Sequence, residues 1–177
     1  LLIILTATMT GWVTALVCRF QPADFVALQI DTGMMIILRL ITSFFGVYGF
    51  SLMFNSPRKM AMTAGLIGMF ANTLRLELID LAHFPVGIAA FIGAFFTGCV
   101  ASIVKKKIGY PRISLTVPAI VIMVPGLYMY RGIYYIGLNE IGDGSLWLTK
   151  AILIVMALPM GLVAARLCTD KNFRHCT

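Results

Sequence analysis

"ISLTVPAIVIMVPGLYMYRGIYYIGL", residues Ile113–Leu138, governs the architecture of this chain. It is long and apolar enough to cross a bilayer as a helix, which takes roughly 17–25 residues. Helix is the expected form, because lipid offers no partner for unpaired backbone N–H and C=O groups. Yet the stretch holds Pro118, then Pro125-Gly126, then Arg131. Pro125 cannot donate to Val121, and its ring crowds that carbonyl. Proline in the first turn of a new helix is favourable instead. The spacing predicts a helix that ends near Val124 and restarts at Pro125.

The rest of the chain is of the same kind. Of its 177 residues 60% are hydrophobic and 12% charged, whereas soluble domains are about half apolar and about a quarter charged. The class is integral membrane, not soluble globular. Net charge is +7, from 14 Lys and Arg against 7 Asp and Glu. The basic residues fall mostly between apolar runs, where they orient helices. No basic face with exposed aromatics appears, so nucleic acid is not an expected partner.

Six apolar stretches stand out: Leu1–Val17, Met34–Phe54, Met60–Leu74, Phe84–Val104, Ile113–Leu138 and Leu146–Ala165. The expected fold is all-α: a polytopic membrane helix bundle of about six transmembrane helices, one broken at Pro125-Gly126. The third stretch is short and must borrow flanking residues or sit in a thinned region. Leu1–Val17 has no initiator Met, basic n-region or small-residue cleavage pattern, so it reads as a transmembrane helix of a chain that begins mid-protein.

Loop charges alternate in sign. The first link (Arg19, Asp24, Asp31) is net negative, and the second (Arg58, Lys59) positive. Arg75, Glu77 and Asp80 make the third negative, and Lys105, Lys106, Lys107 and Arg112 make the fourth positive. Glu140 and Asp143 make the fifth negative, and the tail, with Arg166, Asp170, Lys171 and Arg174, is positive. By the positive-inside rule both termini are cytoplasmic.

Three arginines lie in or near apolar spans: Arg39, Arg75 and Arg131. A charge at a helix centre costs about 2.5–3.5 kcal/mol on insertion scales, so such residues usually face a polar cavity or a partner. The topology places all three in the outer half of the bilayer, where they would form one electropositive cavity suited to a carboxylate. Arg75, close to Glu77 and Asp80, reads first as an interface anchor that snorkels or pairs. Arg39 either snorkels or faces the cavity. Arg131 is surrounded by tyrosines. Tyr128, Arg131 and Tyr135 share one helical face. A half-helix start at membrane depth exposes N–H groups with a positive dipole end, a device transporters use to hold anionic groups. The competing reading is a tolerated proline kink in a packed helix.

Ser56-Pro57 looks like a helix start, with serine as N-cap and proline as first helical residue. Arg58 and Lys59 then meet the headgroups; a substrate gate here is the sharper alternative. Small residues recur at packing spacing: Ala61, Gly65 and Gly68; Ala90, Ala94 and Gly98; Ala157, Gly161 and Ala165. Ordinary bundle packing explains such stripes, with a homo-oligomer or partner contact as the alternative. All seven acids lie in loops or at span ends, leaving no embedded carboxylate for a proton relay. Cys18, Cys99, Cys168 and Cys176 show no CxxC spacing, and His83 and His175 stand alone, so neither a metal site nor a cofactor is expected. No nucleophile–base pair points to an enzyme.

Three segments carry a family resemblance. "FNSPRKMAMTAGLIG" (Phe54–Gly68), "GIAAFIGAFFTGCVASIVKKK" (Gly87–Lys107) and "ISLTVPAIVIMVPGLYMYRG" (Ile113–Gly132) together resemble the C-terminal half of the threonine/serine exporter family. Its "FN-x-P-R" hallmark falls on Phe54, Asn55, Pro57 and Arg58. Its "T-V-P … V-P-G … Y-R" helix falls on Thr116, Val117, Pro118, Val124, Pro125, Gly126, Tyr130 and Arg131. The resemblance spans roughly Gly33 to Ala165 and implies an inner-membrane exporter of two dissimilar halves, fused or made as two subunits. Members export threonine and serine, and split relatives export dicarboxylates such as succinate.

The expectation is thus half of an exporter of small carboxylate-bearing metabolites, working with an N-terminal partner half in a bacterial cytoplasmic membrane. Arg131 would bind the carboxylate, with Tyr128 and Tyr130 lining the path, Pro125 and Gly126 shaping the site, and Arg39 as second anion-binding candidate. Periodicity favours Tyr128 beside Arg131, whereas the motif favours Tyr130. Asn55, Pro57 and Arg58 would form a gate or cap. Residues 1–31 would be an extra helix and outer loop, 32–166 the exporter-like domain and 167–177 a cytoplasmic tail. The rivals are a non-transporting assembly subunit and a passive anion channel.

Overall fold

The structure is a computed structural model that describes residues 10, 11, 13, 14, 17, 18 and 30–170. Most of the helix expected over Leu1–Val17, and most of the tail, lie outside the described residues. Six helical segments follow: α1 (Thr32–Met53), α2 (Arg58–Asp80), α3 (Val86–Ile108), α4 (Arg112–Val121), α5 (Gly126–Gly137) and α6 (Ile141–Thr169). No strand occurs among the described residues.

The expected count of six membrane-crossing helices is not matched. Four helices among the described residues are long and apolar enough: α1, α3, the interrupted α4–α5 pair and α6. Length does not exclude α2, which has 23 residues. Its apolar run is diluted by Asn72, Arg75, Glu77 and Asp80, which belong to the helix and not to a loop after it.

Packing explains how α2 tolerates that composition. It packs against α1, α3 and α4, and it buries Ala61, Ala64, Ile67, Ala71, Asn72 and Thr73. Asn72, Arg75 and Glu77 bond to neighbouring segments, while Met62, Leu66 and Phe70 on the same helix stay exposed. The most extensive contact elsewhere joins α3 to α6. There a side chain at Gly161 would place its Cβ 2.6 Å from the Phe91 carbonyl oxygen, and one at Gly98 would meet the Ala165 methyl at 2.6 Å. On α2, Gly68 likewise lies against Val47 and Gly65 against Phe44. The small-residue stripes therefore meet inside the bundle, letting backbones approach closely. Large apolar side chains such as Ile37, Ile41 and Phe45 on α1, and Ile152, Met156 and Met160 on α6, face outward.

Two local expectations need correction. Between α1 and α2, Pro57 is the N-cap and the helix begins at Arg58, with no side-chain cap bond. Ser56 instead donates its backbone N–H to the Ser51 carbonyl at 3.1 Å. Asn55 adopts φ 57°, a left-handed conformation asparagine tolerates better than most residues. The "FN-x-P-R" segment is thus a tight αL turn. Asp143 likewise lies in the first turn of α6, not in the loop before it.

Candidate functional site

The break in the α4–α5 span is real and wider than one peptide. Helix α4, already carrying Pro118, ends at Val121. Its chain then turns through Met123 N–H to Ile120 O (2.8 Å) and Val124 N–H to Val121 O (3.2 Å). Pro125 is the N-cap of α5, with φ −80° and ψ 53°. Restart thus falls at Gly126, one residue later than the sequence suggests. The Gly126 N–H turns back to Val124 O at 2.8 Å, and Met129 N–H reaches Pro125 O at 3.0 Å. Between them the Leu127 and Tyr128 amides find no hydrogen-bond partner. These are the orphan donors of a helix N-terminus, at its positive dipole end.

Arg75 reaches into this break. Its Nη1 donates to the Met123 carbonyl at 3.0 Å, while its buried Nε has no partner. Pairing of Arg75 with Glu77 and Asp80 does not occur. Arg39 takes both acids across the α1–α2 contact, with Nη1 2.8 Å from Glu77 Oε1 and Nη2 in contact with Asp80 Oδ2. Helical geometry gives the reason. Glu77 and Asp80, three residues apart, share a face, whereas Arg75 and Glu77, two apart, do not. Glu77 is therefore a largely enclosed, ion-paired carboxylate (side chain 19% exposed) inside a helix, and not the loop acid of the sequence reading.

Arg39 consequently adds no free positive charge, and of the three arginines expected to share a cavity only Arg75 and Arg131 show no acidic partner among the described residues. Taking a substrate carboxylate at Arg39 would require release of Glu77 or Asp80. Below the ion pair, Asn72 Nδ2 donates to Ser43 Oγ at 2.9 Å. Asn72 Oδ1 and Thr73 Oγ1 are buried without partners.

On α5, the Arg131 guanidinium lies over the Trp147 ring of α6, 4.7 Å from its centroid. Tyr128 packs on the same indole at 5.5 Å and lies within electrostatic reach of Arg75. Tyr130 turns to Tyr134, at 6.1 Å. Of the two readings left open, the geometry groups Tyr128 with Arg131. A guanidinium stacked on an aromatic face keeps its in-plane donors available, and Arg131 Nε is buried with no partner. Gly132 permits the close approach of α5 to α6, since a Cβ there would lie 2.7 Å from Leu148 Cγ. Lys150 Nζ, 4.9 Å from the same indole, is a further cation that the sequence reading passed over. Its place one turn after Trp147 on α6 was the available signal.

Four helices long and apolar enough to cross a membrane, one of them interrupted, are features of an integral membrane protein. A family model described as "Threonine/Serine exporter, ThrE" matches residues 39–168. The chain belongs to the threonine/serine exporter family, and the match takes in Arg39, Arg75, the break and Arg131. No curated protein and no solved structure matches the chain.

Proposed function

We propose that the chain is the C-terminal half of an exporter in a bacterial cytoplasmic membrane. It moves small carboxylate-bearing metabolites outward: threonine and serine, or dicarboxylates such as succinate. The N-terminal half acts beside it as a fused domain or a separate subunit, and both ends of this chain face the cytoplasm. The observation that carries the site is the helix restart at Gly126, whose unpartnered Leu127 and Tyr128 amides lie on the segment bearing Arg131.

In this reading the substrate carboxylate is held by Arg131, fixed in place by Trp147, with Tyr128 offering a hydroxyl and the α5 amides adding dipolar stabilisation. Arg75 holds the break open by occupying the Met123 carbonyl and faces the carboxylate with its remaining donors. Tyr130, with Tyr134, lines the path beyond the site. Asn55, Pro57 and Arg58 form the turn at the opposite, basic end, where a cap or gate would act. Replacing Arg131 by Ala, in protein shown to insert normally, should abolish efflux of threonine or succinate from preloaded vesicles. Unchanged efflux would remove Arg131 from the site.

A further inference from the structure

Helix α1 meets α2 through a largely polar face. Its buried residues are Ser43, Val47 and Ser51, and Arg39 stands one turn before Ser43 on the same stripe. On α2, Thr73, Glu77 and Asp80 share one side by their i, i+4, i+7 spacing, with Asn72 beside it. The contacts across the seam are polar as well. Arg39 takes Glu77 and Asp80, and Asn72 donates to Ser43. Between membrane helices no hydrophobic drive holds such a seam shut, because lipid tails are as apolar as the side chains. Specific bonds must hold it.

The ends of the seam differ. Only the Phe54–Pro57 turn joins α1 to α2, so the helices cannot part there. Arg39 lies about 21 Å of helix axis away from the end of α1. Its partner Asp80 is half exposed, so water can compete for that contact. Helix α1 also covers the break. It packs on α2 and α4, and a Cβ at Gly46 would lie 2.6 Å from Ile122 Cδ1. Ile122 adjoins Met123, whose carbonyl holds Arg75. The closed arrangement leaves polar atoms unsatisfied. Of the five buried side-chain atoms without a partner among the described residues, four belong to α1 or α2: Ser51 Oγ, Asn72 Oδ1, Thr73 Oγ1 and Arg75 Nε. Each carries a desolvation cost that entering water would remove. Closure works against these atoms and is held by the Arg39 contacts.

We propose that α1 is a lid over Arg75 and the broken helix, latched by Arg39 on Glu77 and Asp80 and hinged at the Asn55 turn. Opening swings the Arg39 end away from α2, brings water to Asn72 and Thr73, and uncovers Arg75. Its use in transport rests on the carboxylate site proposed at the break, whereas the movement itself does not.

The test is labelling by a water-soluble maleimide of the purified full-length protein, its four native cysteines replaced by serine. Ser43→Cys reports on the latch end. Ser51→Cys, about 12 Å further along the same stripe, reports on the hinge end. Both positions are buried. When opening and closing outrun the labelling, the rate tracks the open population. One bond from a charged donor shifts such an equilibrium roughly tenfold or more. Arg39→Gln should therefore raise the labelling rate of the Ser43→Cys thiol at least about tenfold, and that of the Ser51→Cys thiol less than about twofold. Arg39→Lys keeps a cation for the two acids and should stay within about threefold of the native latch. An unchanged Ser43→Cys rate in Arg39→Gln would show that the contacts hold nothing shut. An equal rise at both thiols would mean that the bundle loosens as a whole, and a Lys variant as reactive as the Gln variant would mean that charge is not the latch. Any of these overturns the lid. No substrate is present, so the labelling result stands apart from efflux in Arg131→Ala: failure of the carboxylate site would leave it unchanged.

Discussion

Arg75→Met puts a shorter, unbranched apolar side chain in place of the guanidinium and removes its charge, and the structure sets the balance of terms. The variant loses the 3.0 Å bond to the Met123 carbonyl, a bond from a charged donor worth about 1.5–3 kcal/mol. Met123 is fully buried, so no water replaces the donor. In the other direction, the variant no longer encloses a guanidinium whose Nε is unpartnered, and a buried ion carries a penalty of several kcal/mol. The two terms offset, so unfolding free energy should move by less than about 2 kcal/mol either way. Transport has no such compensation. If the proposed site holds, losing one of its two guanidiniums should remove about 2–3 kcal/mol of binding, or roughly 30- to 150-fold in efflux rate at low substrate. Stability is read by denaturant titration in bicelles, and efflux from cells preloaded with threonine at matched expression. Normal efflux in a stable Arg75→Met protein would refute a role for Arg75 in the site. A loss of more than about 4 kcal/mol would show that the Met123 bond outweighs the charge burial.

Three other outcomes follow from the same contacts. Arg39→Gln and Glu77→Gln should each lower stability by about 2 kcal/mol, between the exposed and buried limits for ion pairs. A double-mutant cycle should give a coupling of about 1–2 kcal/mol; strictly additive losses would mean the pair does not couple. Gly161→Val drives a side chain into the Phe91 carbonyl and should cost about 2–3 kcal/mol by overpacking; an unshifted melting temperature would contradict the close α3–α6 approach. Pro125→Ala restores a backbone donor where the α4–α5 span is interrupted. It should leave stability unchanged or raise it by up to about 1 kcal/mol while cutting efflux at least roughly tenfold, and full efflux would show that the break is not needed.

The apolar runs, the break and the small-residue stripes were legible in the sequence because each rests on a local rule: run length, the missing proline N–H, and helical spacing. The pairing of charges was not, since it depends on which helix lies beside α2. The sequence reading put Arg75 with its nearest acids along the chain, and neighbours two apart on a helix point to different sides. That spacing already argued against the pair. What it could not supply was Arg39, thirty-eight residues before Glu77, as the partner. The polar C-terminal part of α2 was misjudged for a related reason. Hydropathy assumes that a helix meets lipid, and Asn72, Arg75 and Glu77 meet protein partners instead. Tyr128 and Tyr130 were separable only once Trp147 was in place to receive one of them.

The arrangement of α1 around α2 bears on how the protein is made. Helix α2 carries Arg75, Glu77 and Asp80 in its last six residues, and on insertion scales a charge opposes entry by about 2.5–3.5 kcal/mol at a helix centre and by less towards an end. Alone at the translocon it is a poor candidate for lateral release. Helix α1 precedes it by only the Phe54–Pro57 turn, and its Arg39 pairs with Glu77 and Asp80 once the two helices fold back on each other. That contact favours insertion of the two helices together, as a hairpin. The tight αL turn at Asn55 would then serve biogenesis as well as architecture.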